Sequence, residues 1–338
     1  MTKLVQLVHL VKSQWRAGLQ FSAQARYDGV VNQGATDYSV ALVEGPWEHA
    51  FVSANGHRFH LVLAGPTGVA QGKAPLLVLL HDFGQFWWAW RSVIPPLAEA
   101  GYRVAALDLR GVGASDKPPG GYDVPTRTRD VAAVIRSLGY NGAVVVGHGT
   151  GGEIAWAMAA LQPDLTTVVA ALACPHPARL HLGFTKTLTP QARRLFAFAQ
   201  IPTIPEHYLL HKNKLAAILN LGAARPFSDA SLEKYQEVMR IPFAAHNSVE
   251  AIRWLVRSAP RPDGHRYRTA LQNPLDIPVL QLHGDKDGFV RIAGAAVDAA
   301  VLCRNFTYQQ FAGVGHYLPE EAPALVVEAL LDWLNQHA

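Results

Sequence analysis

Short apolar runs alternate with stretches of helical period along most of this chain. Residues 76–80 and 143–146 contain no polar side chain, and 104–109 contain only Asp108. Runs this apolar are strands covered on both faces, the signature of a parallel sheet between helical layers. The segments 129–138 and 152–161 read as helices, and 166–173 as the next strand. Ahead of these, 49–53 and 58–64 flank Asn55-Gly56, a dipeptide suited to the positive φ angles of a tight hairpin. Strands resume at 279–282 and 305–311. A closing helix from about 323 to 336 sets Leu325, Val326, Leu330 and Leu334 on one side. The expected class is α/β, with a mostly parallel central sheet flanked by helices.

Two regions break the alternation. Residues 175–275 are rich in Pro, His and Arg and hold short helical patterns such as 231–239 and 249–258, so a helical cap inserted into the sheet domain is expected. Residues 1–45 read as an extension. There Leu4, Leu7, Val8, Val11, Trp15 and Leu19 form an apolar stripe, with Lys3, Lys12 and Arg16 off it. Such a helix suits a protein partner or an anionic membrane surface, met through residues 3–20, or packing on its own domain. The expected organisation is an extension at 1–45, a core of 46–174 and 276–338, and a cap of 175–275.

Composition narrows the classes. The 338 residues are 49% hydrophobic, enough for a substantial core. The formal charge of +4 comes without a Lys/Arg-rich run, so nucleic-acid binding has little support. Cys174 and Cys303 lie far apart and outside any metal or redox spacing, which suits buried thiols in a reducing cytoplasm. No apolar run reaches the ~18 residues of a membrane span, and the N-terminal run lacks a cleavage site. Peripheral membrane attachment stays open through the basic stripe at 3–20.

Five motifs carry the chemistry. The first, His81-Asp82-Phe83-Gly84-Gln85-Phe86-Trp87-Trp88, directly follows a strand. The second, Asp108-Leu109-Arg110-Gly111-Val112-Gly113-Ala114-Ser115-Asp116, has glycines that permit a tight strand exit. The third, Gly147-His148-Gly149-Thr150-Gly151-Gly152, sits between a strand and a helix with small residues on either side of its centre. The fourth, Leu282-His283-Gly284-Asp285-Lys286-Asp287, and the fifth, Gly313-Val314-Gly315-His316-Tyr317, follow the last two strands. Together these resemble the α/β-hydrolase fold from about residue 48 onward, and within it the epoxide hydrolases and haloalkane dehalogenases.

The resemblance implies a nucleophile elbow at 147–151, an acid at Asp287 with Asp285 as alternate, and His316 as base. It implies an oxyanion or substrate wall formed by Asp82, Phe83, Thr150 and Trp87. It also implies cap tyrosines that activate an epoxide oxygen, for which Tyr208, Tyr235 and Tyr267 are the candidates; none matches a family position by motif. The sequence departs from the family at two places in the first loop: Asp82 stands where Gly is usual, and Gly84 where Pro is usual. A carboxylate there opposes developing negative charge, so a reshaped loop is expected.

The largest departure is Gly149, which holds the centre of the elbow and has no side chain with which to attack. A slip that centres Thr150 instead puts His148 where a small residue is needed. The same glycines also spell G-x-G-x-x-G, but no acid follows at the end of the next strand, so no nicotinamide or flavin is expected. His207 and His211 lie four apart without a third ligand, so no metal is expected. No cofactor is expected in any other form. Three functional readings follow. One is a pseudo-hydrolase kept for binding a partner or small apolar ligand, as the NDR proteins of this fold imply. Another is a hydrolase or lyase in which His316 and Asp287 act on water. The last is a substitution introduced at 149. All three assume a vacant point of attack.

Overall fold

The computed structural model describes residues 36–66, 74–178, 184–292, 300 and 302–337. Eight strands form one sheet: β1 (Glu48–Ala54), β2 (His57–Ala64), β3 (Leu76–Leu80), β4 (Arg103–Leu107), β5 (Ala143–His148), β6 (Thr166–Leu172), β7 (Val279–Gly284) and β8 (Phe306–Phe311). Their order is β1-β2-β4-β3-β5-β6-β7-β8. β1 and β2 pair antiparallel through the Asn55-Gly56 turn, where both residues have positive φ. β2 meets β4 antiparallel, and every later pairing is parallel.

The uninterrupted apolar strands follow from burial on both faces. In β3, Leu77 and Leu79 enter one core layer with Trp87, Trp90 and Leu282. Leu76, Val78 and Leu80 enter the opposite layer with Val145, Trp156 and Val279. The period of two along a strand makes this division unavoidable. Each such leucine contributes roughly 1.5–3 kcal/mol by leaving water. The closing helix Pro323–His337 buries Val326, Ala329, Leu330, Trp333 and Leu334, whereas Leu325 is 42% exposed and lies outside the face assigned to it from the sequence.

The cap enters between β6 and β7. Its longer helices are Pro190–Ala199, Ile204–Leu210, Lys214–Gly222, Asp229–Met239, Ala244–Arg257 and Pro262–Ala270. Buried Arg253 ties three of them together. Its guanidinium donates to the Ala199 and Ile201 carbonyls and pairs with Glu206 and Glu250. The expected helix over residues 3–20 lies outside the described residues. The compact unit runs from Asp37. Residues 37–45 are bound in: the Trp87 indole donates to the Ala41 carbonyl at 2.7 Å, and the Trp47 indole to the Val43 carbonyl at 2.8 Å.

The Asp108 loop fixes the wall beside the site. Asp108 is fully buried and accepts from the backbone of Trp87 and Ala114 and from the His60 ring. Arg110 clasps Asp130 through two 2.6 Å bonds. These paired buried charges are satisfied on both sides, the condition for tolerating them.

Candidate active site

At the end of β5 the chain turns sharply into the helix Thr150–Leu161. Gly149 forms the apex, with φ +51° and ψ −113°. The turn is tight: a Cβ added to Gly151 stands 2.4 Å from the Leu80 carbonyl oxygen. The apex itself is crowded from an unexpected quarter. A Cβ on Gly149 lies 2.2 Å from Cγ of Asp82, a side chain that arrives from the loop after β3.

The space at the apex is therefore filled, contrary to the vacancy expected from Gly149. Asp82 is 5% exposed. Its Oδ1 accepts the Thr150 backbone N–H at 2.7 Å, and its Oδ2 lies 3.1 Å from His316 Nε2. His316 Nδ1 in turn lies 2.9 Å from Asp287 Oδ2. Asp287 Oδ1 accepts the N–H groups of Phe289 and Val290, which sets the carboxylate. An imidazole thus stands between two carboxylates, one from β7's exit loop and one from β3's.

Local structure holds each member. His81 fixes the Asp82 backbone: its Nδ1–H donates to the Asp82 carbonyl at 2.8 Å, while its Nε2 accepts the Leu109 N–H. Gly84, with φ +75°, lets the loop turn where the family has proline. The His316 N–H donates to the Gly222 carbonyl of the cap, and its own carbonyl accepts from His148 Nε2 at 2.8 Å.

The charges follow from this geometry. Burial pushes the Asp82 carboxyl up, but the His316 bond and charge, with the Thr150 N–H, outweigh it and hold the group well below the usual carboxylate range. Burial pushes His316 down, yet Asp287 and then Asp82 raise it to about 10. At neutral pH the ring is an imidazolium held by two carboxylates. Burial keeps His148 neutral, its pKa lowered to about 4.

Asp82 and His316 floor a cavity of about 150 Å³ between core and cap. Its walls are overwhelmingly apolar, with Leu188, Leu195, Phe196, Leu209 and Ile252 from the cap. Phe83 and Thr150 line it, together with Gly149 and Tyr317. Trp87 does not line it. That side chain is fully buried against Trp47 and His49, so it belongs to the structural core and not to the substrate wall. Asp285 accepts the Gly313 N–H and does not reach His316.

The three cap tyrosines line no part of the cavity either. Tyr208 packs edge-on against Phe198 beneath Lys214. The Tyr235 hydroxyl donates to Glu320 beside Arg91. The Tyr267 hydroxyl donates to Glu153 at 3.2 Å. His207 is exposed and bonded to its own helix, apart from any ligand cluster. Asp82, His148 and His316 do bring potential ligand atoms within 4.8 Å of one another, but both Nε2 atoms are engaged, by Asp82 and by a carbonyl.

Sequence reasoning passed over Glu153. It is 2% exposed, lies one helical turn beyond Gly149 and lines the cavity. Its signal was present: it is the one charged residue in the otherwise apolar stretch 151–161.

Residues 75–323 match the alpha/beta hydrolase fold family, and the chain belongs to it. Similar curated proteins include the AB hydrolase superfamily protein YfhM of Bacillus subtilis (strain 168), 30% identical over 84% of this chain and 97% of that one. Epoxide hydrolase 4 of Mus musculus is 29% identical over 94% of this chain and 87% of its own length. Among solved structures, wild-type Cfl2 from Burkholderia cenocepacia superimposes with a TM-score of 0.72 at 27% identity, covering 85% of this chain and 96% of that one. The relatives are thus epoxide-hydrolase-like. Among the described residues no helix is long and apolar enough to cross a membrane.

Proposed function

We infer that the chain is an active hydrolase of the epoxide-hydrolase type in which Asp82, from the loop after β3, supplies the nucleophile that the elbow lacks. The observation that carries this reading is the position of the Asp82 carboxylate: it overlaps the space of a Gly149 side chain, 3.1 Å from His316 Nε2. The substrate class is a small apolar molecule with an electrophilic carbon, matched to the apolar cavity.

The two carboxylate oxygens divide the work. Oδ2 faces His316 and attacks carbon, forming an ester. Oδ1 rests on the Thr150 N–H, so when water later adds to Cγ the negative charge grows on an oxygen already hydrogen-bonded. A carboxylate in this loop then does not oppose the hole; it occupies it. Alkylation also removes the charge of Asp82. One of the two partners that raise His316 disappears, the ring loses its proton more readily, and it becomes a base for water beside Asp287.

The pseudo-hydrolase reading and the reading in which His316 and Asp287 act on water without an ester both rest on an empty apex. The experiment is a single turnover in ¹⁸O-water with epoxides and alkyl bromides as probes. The expected result is ¹⁸O in the peptide that carries Asp82, with turnover falling on the order of 10⁴-fold or more in Asp82→Asn. Turnover without label in that peptide overturns the reading in favour of direct attack by water. No turnover of any probe favours the binding module.

A further inference from the structure

Opening an epoxide creates an alkoxide, which needs a proton as the carbon–oxygen bond breaks. The leaving oxygen departs on the far side of the carbon from Asp82 Oδ2. His316 stands behind Oδ2, on the attacking side, and donates its Nε2–H there. The donor must therefore come from another wall of the cavity. None of Tyr208, Tyr235 and Tyr267 reaches that wall.

Resting on the nucleophile assignment above, we propose that Glu153 is the general acid of this site, delivering its carboxyl proton to the oxygen that leaves the substrate carbon. Glu153 lines the same cavity as Asp82. It follows Gly149 by four residues and donates its backbone N–H to that residue's carbonyl at 3.1 Å. Glu153 sits one turn into the helix whose N-cap is Gly149, and Asp82 occupies the space beside that N-cap. Both carboxyls thus border the same cavity at the N-terminal end of that helix.

The surroundings suit an acid. Burial is the main influence on Glu153 and pushes its pKa up to about 7; the charge of Arg127 and the Tyr267 hydroxyl bond oppose it. Cys174 faces it from the exit of β6, with its thiol pushed well up and so uncharged. Arg127 is buried on the neighbouring helix Val124–Ser137, and its Nε and Nη2 have no hydrogen-bond partner among the described residues. That guanidinium receives the carboxylate charge once the proton has gone. The environment therefore holds a proton near neutrality and tolerates its loss, as a general acid requires.

The atoms balance. Oδ2 of Asp82 bonds to a ring carbon, the carbon–oxygen pair moves to oxygen, and the Glu153 proton joins it. The products are a hydroxyalkyl ester and a Glu153 carboxylate. Water then cleaves the ester at Cγ, releasing diol, and the proton freed from the water restores Glu153. The sum is epoxide plus water to diol.

An alkyl bromide tests the assignment because bromide leaves without a proton. Glu153→Gln should lower epoxide turnover by about 10²-fold or more and leave alkyl bromide turnover changed only by a small factor. Wild-type epoxide turnover should fall as pH rises through about 7, the direction set by a group that acts when protonated, and bromide turnover should lack this limb. Tyr317→Phe, which alters the cavity wall, should change epoxide and alkyl bromide turnover alike. Equal loss on both substrates in Glu153→Gln makes Glu153 a structural residue and overturns the assignment. So does an unchanged epoxide rate, or a selective epoxide loss in Tyr317→Phe. If Asp82→Asn retains turnover, or wild type turns over neither substrate, the nucleophile assignment fails and takes this one with it.

Discussion

Asp82 and Gly149 lie 67 residues apart and share one place: the carboxylate of the first stands 2.2 Å from where a Cβ of the second would be. Either residue alone is a departure from its family. Together they are complementary, because a side chain at 149 has no room while Asp82 is present.

The pairing predicts how single and double substitutions behave. Gly149→Ala combines a left-handed φ with a 2.2 Å contact and should cost roughly 1–3 kcal/mol in chemical unfolding. Gly149→Asp should do worse, since it adds a second carboxylate. The double variant Asp82→Gly with Gly149→Asp should fold like wild type and recover turnover that Asp82→Gly alone loses. A double variant that is no better than its parents in both assays would contradict the shared-place account.

His316 should titrate near pH 10 in wild type, as its two carboxylate partners dictate. In Asp82→Asn its pKa should drop by about 1–3 pH units, the effect of losing one adjacent opposite charge. Imidazole NMR signals followed between pH 5 and 11 measure this directly.

The same pair sets a stability window. His316 is raised from 6.5 to about 10, so its contribution is complete below pH 6.5 and is lost as pH rises through 10. Asp82 is depressed below 3.8, so its contribution is present above that pH and lost on acidification. Urea unfolding across pH 3 to 10 should show both losses, and His316→Gln should flatten them.

Glu153 runs opposite to an ordinary surface acid. Its pKa rises from 4.5 to about 7 through burial, so stability is complete below 4.5 and is lost as pH rises through 7. Glu153→Gln should therefore be more stable than wild type at pH 8, by at most about 3 kcal/mol at 1.36 kcal/mol per pH unit, and equal to it at pH 4.

Tyr235 and Trp87 should act on stability alone. Tyr235→Phe removes a donor to Glu320, which keeps its Arg91 partner. The cost should be about 1–2 kcal/mol. Trp87→Phe opens space in a full core and leaves the Ala41 carbonyl unpaired, for roughly 2–4 kcal/mol. Turnover per folded molecule should stay constant in both.

The sheet was readable from the chain because both of its faces are buried. β3 matches the apolar run 76–80 residue for residue, and the Asn55-Gly56 turn is local chemistry. The meeting of Asp287 and His316 was readable from the order of motifs along the chain. The role proposed for Asp82 was not. Pattern assigns a residue to a loop, but the direction of its side chain depends on the space left at 149, and that space is a three-dimensional fact. Trp87 misled for a related reason: its neighbours in the motif face the cavity while its own ring turns into the core. Glu153 was missed because helical periodicity reports which residues are apolar, not which buried charge a cavity needs.

The Thr150 amide has a wider consequence under the proposed function, because it grips the proposed attacking group without being next to it in the chain. A reactive atom in this architecture is defined by an address in space, set by one amide and one imidazole, and any loop that can deliver an oxygen to that address can serve. Ancestry by motif and ancestry by geometry then part company, and under the proposed assignment the missing side chain at 149 marks a relocation rather than a loss.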